Sequence, residues 1–291
     1  WVLSSDYTAD VSISKNIIKQ VTEVYRKIRN TARYMLGNLS DYNPDKPVAY
    51  KDLLEIDKWA LTRLNRLIRN CTEAYDNYSF HDAYHDVNQF CVVDMSAIYL
   101  DVIKDRLYTF KTDSVERRAA QTTMYEILSA LVRILAPMTC FTAEEIWKYM
   151  PHKKGENTES VMLEYYPKAN PEYDDEKLAK EWDELIKVKD VVAKELELAR
   201  ADKKIGLSLQ AAVVVKAPKD SFDFLKSKEA LLQDLCIVSD LKVEESKSKE
   251  VSAEVSEAEG EKCERCWMIS KTVGLNKLHP TICKKCSDNL E

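Results

Sequence analysis

Glycine and proline are scarce in this 291-residue sequence, at five and eight residues. Sheets that bind nucleotides through Rossmann or P-loop turns place glycine at each phosphate-cradling loop, and neither G-x-G-x-x-G nor G-x-x-x-x-G-K-[ST] can be written here. Nucleotide chemistry by those routes is excluded. Long apolar runs are missing as well. Charges such as Lys104 and Arg133 interrupt every stretch before the ~18 residues a membrane span requires. The opening Trp1-Val2-Leu3-Ser4 has neither the basic start nor the cleavage site of a secretory signal. The first residue is not Met, which reads as a piece of a longer, cytoplasmic protein. An excess of positive charge is also lacking: 43 Lys+Arg stand against 49 Asp+Glu, a net charge of −6. Bulk attraction to nucleic acid is thereby excluded, and any such function must come from local basic surfaces.

What is present describes a globular protein, with 45% hydrophobic and 32% charged residues. At roughly 150 residues per domain, two or three domains are expected. Residues 13–150 carry long 3.6-period patterns. Ile17, Val21, Val24, Ile28, Met35 and Leu39 form one apolar stripe; Leu64, Leu67, Ile68, Cys71, Tyr75 and Tyr78 form another. Gly37 can cap the first helix, and Asp41–Asp45 reads as a loop because Asn-Pro disfavours helix. A third helix is expected from about Phe80 to Tyr108 and a fourth from Ser114 to Met150, kinked or broken at Pro137. Helices joined by short loops suggest an up-down bundle.

After Pro151 the texture changes. Ser160–Tyr166 is expected as a short strand, Asp175–Lys203 as a helix, Leu207–Val215 as a strand, Lys219–Leu232 as a helix and Cys236–Val243 as a strand. From Asp240 to Glu261 eight acids face three lysines, a composition that predicts a linker. The expected fold is therefore mainly α. A helical bundle (1–150) is followed by a connecting helix and small α+β unit (151–243), an acidic linker (244–261) and a ribbon (262–291).

The eight cysteines divide into two populations. Cys71, Cys91, Cys140 and Cys236 are isolated on apolar faces and read as small buried hydrophobes. The other four form Cys263-x-x-Cys266 and Cys283-x-x-Cys286, two knuckles with the spacing of a tetrahedral four-cysteine zinc ribbon. A pair of disulfides is the alternative, and a reducing compartment disfavours it. Four protein ligands leave no open position, so the zinc would be structural. His81 and His85 stand at i, i+4 but lack a Glu base and a third ligand. Glu144-Glu145 and Asp174-Asp175-Glu176 read as solvated faces and helix-start charges. No catalytic constellation is found.

The first helix departs from the acidic balance. Between Lys15 and Gly37 it has six Lys/Arg and one acid, Glu23. At 100° per residue, Arg26, Arg29, Asn30 and Arg33 fall within about 80° of one another, off the apolar stripe. Such a row suits phosphates and base edges. Arg63, Arg66 and Asn70 make a weaker version on the second helix. On the ribbon, Arg265 and Trp267 can hydrogen-bond and stack an unpaired base, unless the indole packs on the ribbon's own core.

Several segments resemble one family. Trp1–Tyr7 and Asp10–Ser14 resemble the segment after the catalytic domain of bacterial isoleucyl-tRNA synthetases of class I. Lys27-Ile28-Arg29-Asn30-Thr31-Ala32-Arg33-Tyr34 resembles the start of that group's anticodon-binding bundle. Tyr99–Tyr108 (YLDVIKDRLY) and Thr142–Trp147 (TAEEIW) resemble further parts of it, and Cys-x-Arg-Cys-Trp resembles its ribbon. Ser12 and Phe141 stand where members often carry Arg and His. Valyl and leucyl relatives lack this ribbon. Formamidopyrimidine-DNA glycosylases have a similar ribbon, but nothing else here resembles them.

The resemblance implies the C-terminal part of an enzyme that attaches isoleucine to its tRNA using ATP. Its catalytic and editing sites, including the HIGH and KMSKS signatures, would precede Trp1, and ATP would be bound only there. Arg26, Arg29, Asn30 and Arg33 would line the anticodon stem-loop, while Arg265 and Trp267 would meet the anticodon. Arg200, Lys203, Lys204 and Gly206 resemble the family's junction motif, with a structural role. The implied partners are isoleucine tRNA and the upstream chain, with no membrane, and a monomer is expected. The rival reading is a helical scaffold whose ribbon binds protein or DNA; the basic first helix argues against it.

Overall fold

The computed structural model describes residues 1–290. The chain divides into two compact units, Trp1–Leu107 with Thr112–Asp175, and Tyr108–Lys111 with Glu176 onward.

The first unit is helical. Helix α1 (Lys15–Asn38) begins where the Ser14 hydroxyl accepts from the Ile17 amide at 3.2 Å, an N-cap that satisfies one orphan donor. Its apolar stripe is buried only in the second half, at Ile28, Ala32, Met35 and Leu39; Ile17, Val21 and Val24 are half-buried. Gly37 lies inside the last turn rather than capping it, and the helix closes at Leu39. The loop at 41–45 is anchored by Asp41. Its hydrogen bond to Arg117 at 2.7 Å holds the carboxyl down at about 2, helped by Gln121.

Helix α2 (Glu55–Asp76) buries Leu64, Leu67, Ile68 and Cys71 as the periodicity predicts. Tyr78 does not continue the stripe. It stands beyond the helix in a left-handed conformation, φ +57°, and is exposed. The expected third helix is interrupted: α3 (Phe80–Gln89) runs into a π-helical stretch, Phe90–Tyr99, then α4 (Leu100–Val102) and, after a turn at Ile103, α5 (Lys104–Thr109). Helix α6 (Val115–Leu135) is the centre of the bundle, with Ala119, Met124, Leu128 and Val132 all fully buried. Pro137 ends it, and α7 (Cys140–Tyr149) starts afresh, so the expected fourth helix is two.

Ser160–Tyr166 is not a strand. Val161–Leu163 forms one 3₁₀ turn, started by the Ser160 hydroxyl accepting from the Met162 amide at 3.1 Å. The segment that follows docks on α2. Asn65 donates to the Asn170 carbonyl at 2.6 Å and to Asp174 at 2.9 Å, and Arg69 pairs with Asp174. The unit therefore closes at Asp175 and not at residue 150. Asp174, exposed and two residues before α8, is an anchor as well as a helix-start charge.

The second unit is built on α8 (Glu176–Ala201), which buries Leu178, Trp182, Leu185, Val188, Val192 and Leu196. A three-stranded sheet has the order β2-β1-β3. Strand β1 (Ala211–Pro218) pairs in parallel with β2 (Asp240–Ser246), Val213 opposite Leu241, and antiparallel with β3 (Ser252–Glu257), Val213 opposite Val255. Helices α9 (Lys219–Ser227) and α10 (Glu229–Cys236) make the crossover between the parallel strands, where one helix was expected.

Strand β3 overturns the linker expectation for 244–261. Ala253 is buried and Val255 half-buried where β3 packs on α8; Glu254 between them is exposed, and on β2 Glu244 pairs with Lys216 at 2.6 Å. Alternation in two apolar residues outweighs a net acidic composition once a strand edge and a helix are there to receive them. The ribbon follows directly, with β4 (Glu261–Lys262), β5 (Ile269–Ser270) and α11 (Lys284–Asp288). The Ile269 amide donates to the Ser239 hydroxyl at 2.7 Å, tying ribbon to sheet.

Candidate metal centre and nucleic-acid interface

Short strands β4 and β5 bring the two knuckles together. Their approach needs Gly260, at φ +127°, because a Cβ there would meet the Ser270 carbonyl carbon at 2.5 Å. The thiols of Cys263, Cys266, Cys283 and Cys286 then lie within 4.8 Å of one another. Cys266 Sγ and Cys283 Sγ are 3.8 Å apart, the edge of a tetrahedron whose zinc–sulfur bonds are ~2.3 Å. No disulfide joins them.

The electrostatics fit a cation. Burial opposes the Cys263 thiolate, but amides of Cys266, Cys283 and Arg265 outweigh it and hold this thiol down at about 6. Burial, then neighbouring sulfurs, push Cys266 up to about 12 and Cys286 higher still. Four convergent sulfurs cannot all ionise without a positive charge among them, and a divalent ion supplies it. The ligands with Ile282 are also the ribbon's buried core, so metal and fold are one structure. Among the described residues no other group of three or more His, Cys, Asp or Glu side chains could hold a metal. His81 Nε2 lies 3.5 Å from the carboxylate of its neighbour Asp82, and His85 lies edge-on to Tyr84.

Arg265 is half-buried, and its Nη1 donates to the Cys286 carbonyl at 3.1 Å. It thereby bridges the two knuckles. Trp267 faces solvent at 58% exposure, with φ +65°. That left-handed position normally takes glycine. Its amide donates to the Cys263 carbonyl at 2.9 Å, and the Lys262 ammonium sits 5.6 Å from the indole centroid. The indole does not pack into the ribbon core.

On α1, Arg26, Arg29, Asn30 and Arg33 are all exposed. Arg26 pairs with Glu23 at 2.7 Å. Among the described residues, Arg29, Asn30 and Arg33 have no hydrogen-bond or ion-pair partner. The weaker row on α2 is split: Arg63 is tied at 3.1 Å to the buried Asp94, while Arg66 and Asn70 stay exposed. At the end of α8, Lys203 takes φ +59°, Lys204 pairs with Asp202 at 3.2 Å, and the Gly206 amide donates to Gln210 at 2.7 Å. Cys71, Cys91 and Cys236 are buried and their thiols are pushed up to about 12, whereas Cys140 is exposed, contrary to expectation.

One buried network escaped the sequence reading. Arg106 grips Asp57 with two bonds, at 2.7 and 2.9 Å, and the Tyr99 hydroxyl donates to Asp57 at 2.8 Å. Both Tyr99 and Arg106 belong to YLDVIKDRLY, so that segment clamps α5 to α2. The only signal in the sequence was an acid, Asp57, on the same helical face as Ala60, Leu61 and Leu64.

Residues 57–215, more than half of the chain, match the family described as the anticodon-binding domain of tRNA ligase. The chain belongs to that family. Residues 260–289 also match the zinc finger found in FPG and IleRS, which agrees with the four-sulfur cluster and marks it as a structural zinc site. The chain is 49% identical over 303 residues to the isoleucine–tRNA ligase of Caldanaerobacter subterraneus subsp. tengcongensis, covering 100% of this chain and 32% of that protein. It is 51% identical over 289 residues to that of Caldicellulosiruptor bescii, covering 98% and 31%. With the same ligase of Moorella thermoacetica it shares 46% identity over 302 residues, covering 99% and 32%. The chain thus spans about a third of the length of the curated relatives it matches. In this anticodon-binding member, no helix among the described residues is long and apolar enough to cross a membrane.

Proposed function

We propose that the chain recognises the anticodon stem-loop of isoleucine tRNA as part of a cytoplasmic, monomeric isoleucyl-tRNA synthetase. The complete enzyme would use ATP to join isoleucine to that tRNA, with aminoacylation and editing outside this chain. The observation that carries the reading is the α1 row, which precedes the matched residues 57–215 in a chain of the anticodon-binding family: Arg29, Asn30 and Arg33 are exposed and unpartnered. An intramolecular ion pair would have to break before a phosphate could bind; these guanidiniums have none to break. Arg29 and Arg33, one turn apart, would follow successive phosphates and fix register, with Asn30 able to reach a sugar or base edge.

The ribbon would read bases. Zinc holds its turn rigid, Arg265 joins its two halves, and Trp267 offers an aromatic face at a position where the backbone would favour glycine. A strained, solvent-facing indole is the mark of a residue kept for contact, not for packing.

The test is the salt dependence of binding. In Arg29→Ala with Arg33→Ala, the slope of log affinity against log salt should fall by roughly 0.7–0.9 for each phosphate no longer held. Unchanged affinity and slope, with helicity intact, would leave the row merely solvated and return the reading to a scaffold.

A further inference from the structure

The Pro137 break gives α7 a free start, and that start carries an aromatic ring that the helical bundle does not use. Phe141 is 89% exposed, the largest exposure of any large hydrophobic residue among those described. It is held, not dangling. The adjacent Thr142 hydroxyl is hydrogen-bonded at 2.9 Å to the Tyr25 hydroxyl of α1, and Ala143, Ile146 and Trp147 root the helix in the core. Tyr25 lies one turn before Arg29 and two before Arg33 on the same edge of α1, so the contact joins the first turn of α7 to the unpaired guanidiniums.

An apolar ring in water is a cost unless something covers it, and the charge beside it says what can. The edge of α1 next to this contact carries Arg29 and Arg33 without partners, while its one acid, Glu23, is already engaged by Arg26. Of the two acids on α7, Glu144 accepts from the Ser160 hydroxyl, and Glu145 stands one turn beyond the ring. An aromatic face flanked by free guanidiniums is the constellation that takes single-stranded nucleic acid, with bases stacking on the ring and the backbone tracking the cations.

We infer that Phe141 is a base-stacking platform for an unpaired nucleotide of the bound RNA, whose flanking phosphates are held by Arg29 and Arg33. This inference rests on the reading of the chain as a tRNA-binding domain. The stacked nucleotide belongs to a loop, because a base inside a duplex shows no free face.

The test uses the whole 291-residue chain and an anticodon stem-loop RNA of isoleucine tRNA, with 2-aminopurine placed in turn at loop positions. Affinity and 2-aminopurine quenching are measured for Phe141→Ala, Phe141→Leu and Phe141→Tyr. Because the ring is exposed, all three should unfold at the parent temperature. The expected result is about tenfold weaker binding for alanine, a similar loss for leucine, recovery with tyrosine, and loss of quenching at one loop position in the first two. Parent affinity in Phe141→Ala, with salt-sensitive binding still weakened by Arg29→Ala, would overturn the platform and leave tRNA recognition standing. Parent affinity in Phe141→Leu would make the contact one of apolar area, as for a protein partner, and would also overturn it. Failure of the parent chain to prefer this RNA over a duplex of equal length would instead remove the underlying reading.

Discussion

Replacing Trp267 by glycine separates what this residue does for the ribbon from what it does for RNA. Its φ of +65° costs an L-residue ~1–2 kcal/mol, which glycine removes. Glycine returns about 0.5–1 kcal/mol through its freer unfolded chain. Losing the Lys262 ammonium, 5.6 Å from the indole centroid, costs a further ~0.5–1 kcal/mol at an exposed site. These contributions nearly cancel, so zinc retention and the unfolding midpoint should stay within about 1 kcal/mol of the parent. Alanine keeps the left-handed strain and loses the cation–π contact, so it should be the less stable of the two variants. RNA affinity should behave differently. Loss of a stacked base costs ~1–3 kcal/mol, or between about 5- and 150-fold, in glycine and alanine alike, with phenylalanine intermediate. Zinc content, thermal unfolding and anisotropy of a labelled anticodon stem-loop are to be read on one preparation. Full zinc with parent affinity in Trp267→Gly would refute the stacking role. Zinc and affinity falling together would mean that the indole holds the ribbon.

Purified chain should contain close to one zinc, and Cys263→Ser with Cys283→Ser should lose it; disulfides among the four cysteines under reducing conditions would sink that assignment. Chelation should unfold the ribbon and leave the helical circular-dichroism signal of the first unit, which contains no ligand. Arg106→Met should cost ~3–5 kcal/mol in urea unfolding by stranding the Asp57 carboxylate, and adding Asp57→Leu should recover much of it. An equal loss in the double variant would show that shape at this clamp, rather than charge, is what matters.

The helices were legible because a 3.6 period survives without knowledge of neighbours, and the zinc ligands because C-x-x-C spacing is a local property. Strand β3 was hidden by averaging. Over Asp240–Glu261 the composition is acidic, but Val251, Ala253 and Val255 alternate within it, and a period of two in a short run outweighs a charge count. The contact that Arg265 makes inside the ribbon could not be read from its neighbours. Its partner is a carbonyl 21 residues away, on the opposite knuckle, and only the folded ribbon brings the two together.

Arg63 and Arg29 show why charge runs mislead when counted along one helix. Both stand in rows of cations with amides on helical edges, and nothing local distinguishes them. The π-helical stretch carries Asp94 to Arg63, and the guanidinium is spent on an ion pair whose acid is buried. Among the described residues, no element brings an acid to Arg29 or Arg33. A free cation on a protein surface is therefore a tertiary fact, decided by which acids the neighbouring elements fail to supply. For an anionic partner the difference is energetic, since displacing a buried carboxylate costs its desolvated pairing while neutralising a solvated guanidinium releases counterions. On the proposed reading, the first helix is for that reason where RNA would meet this acidic chain.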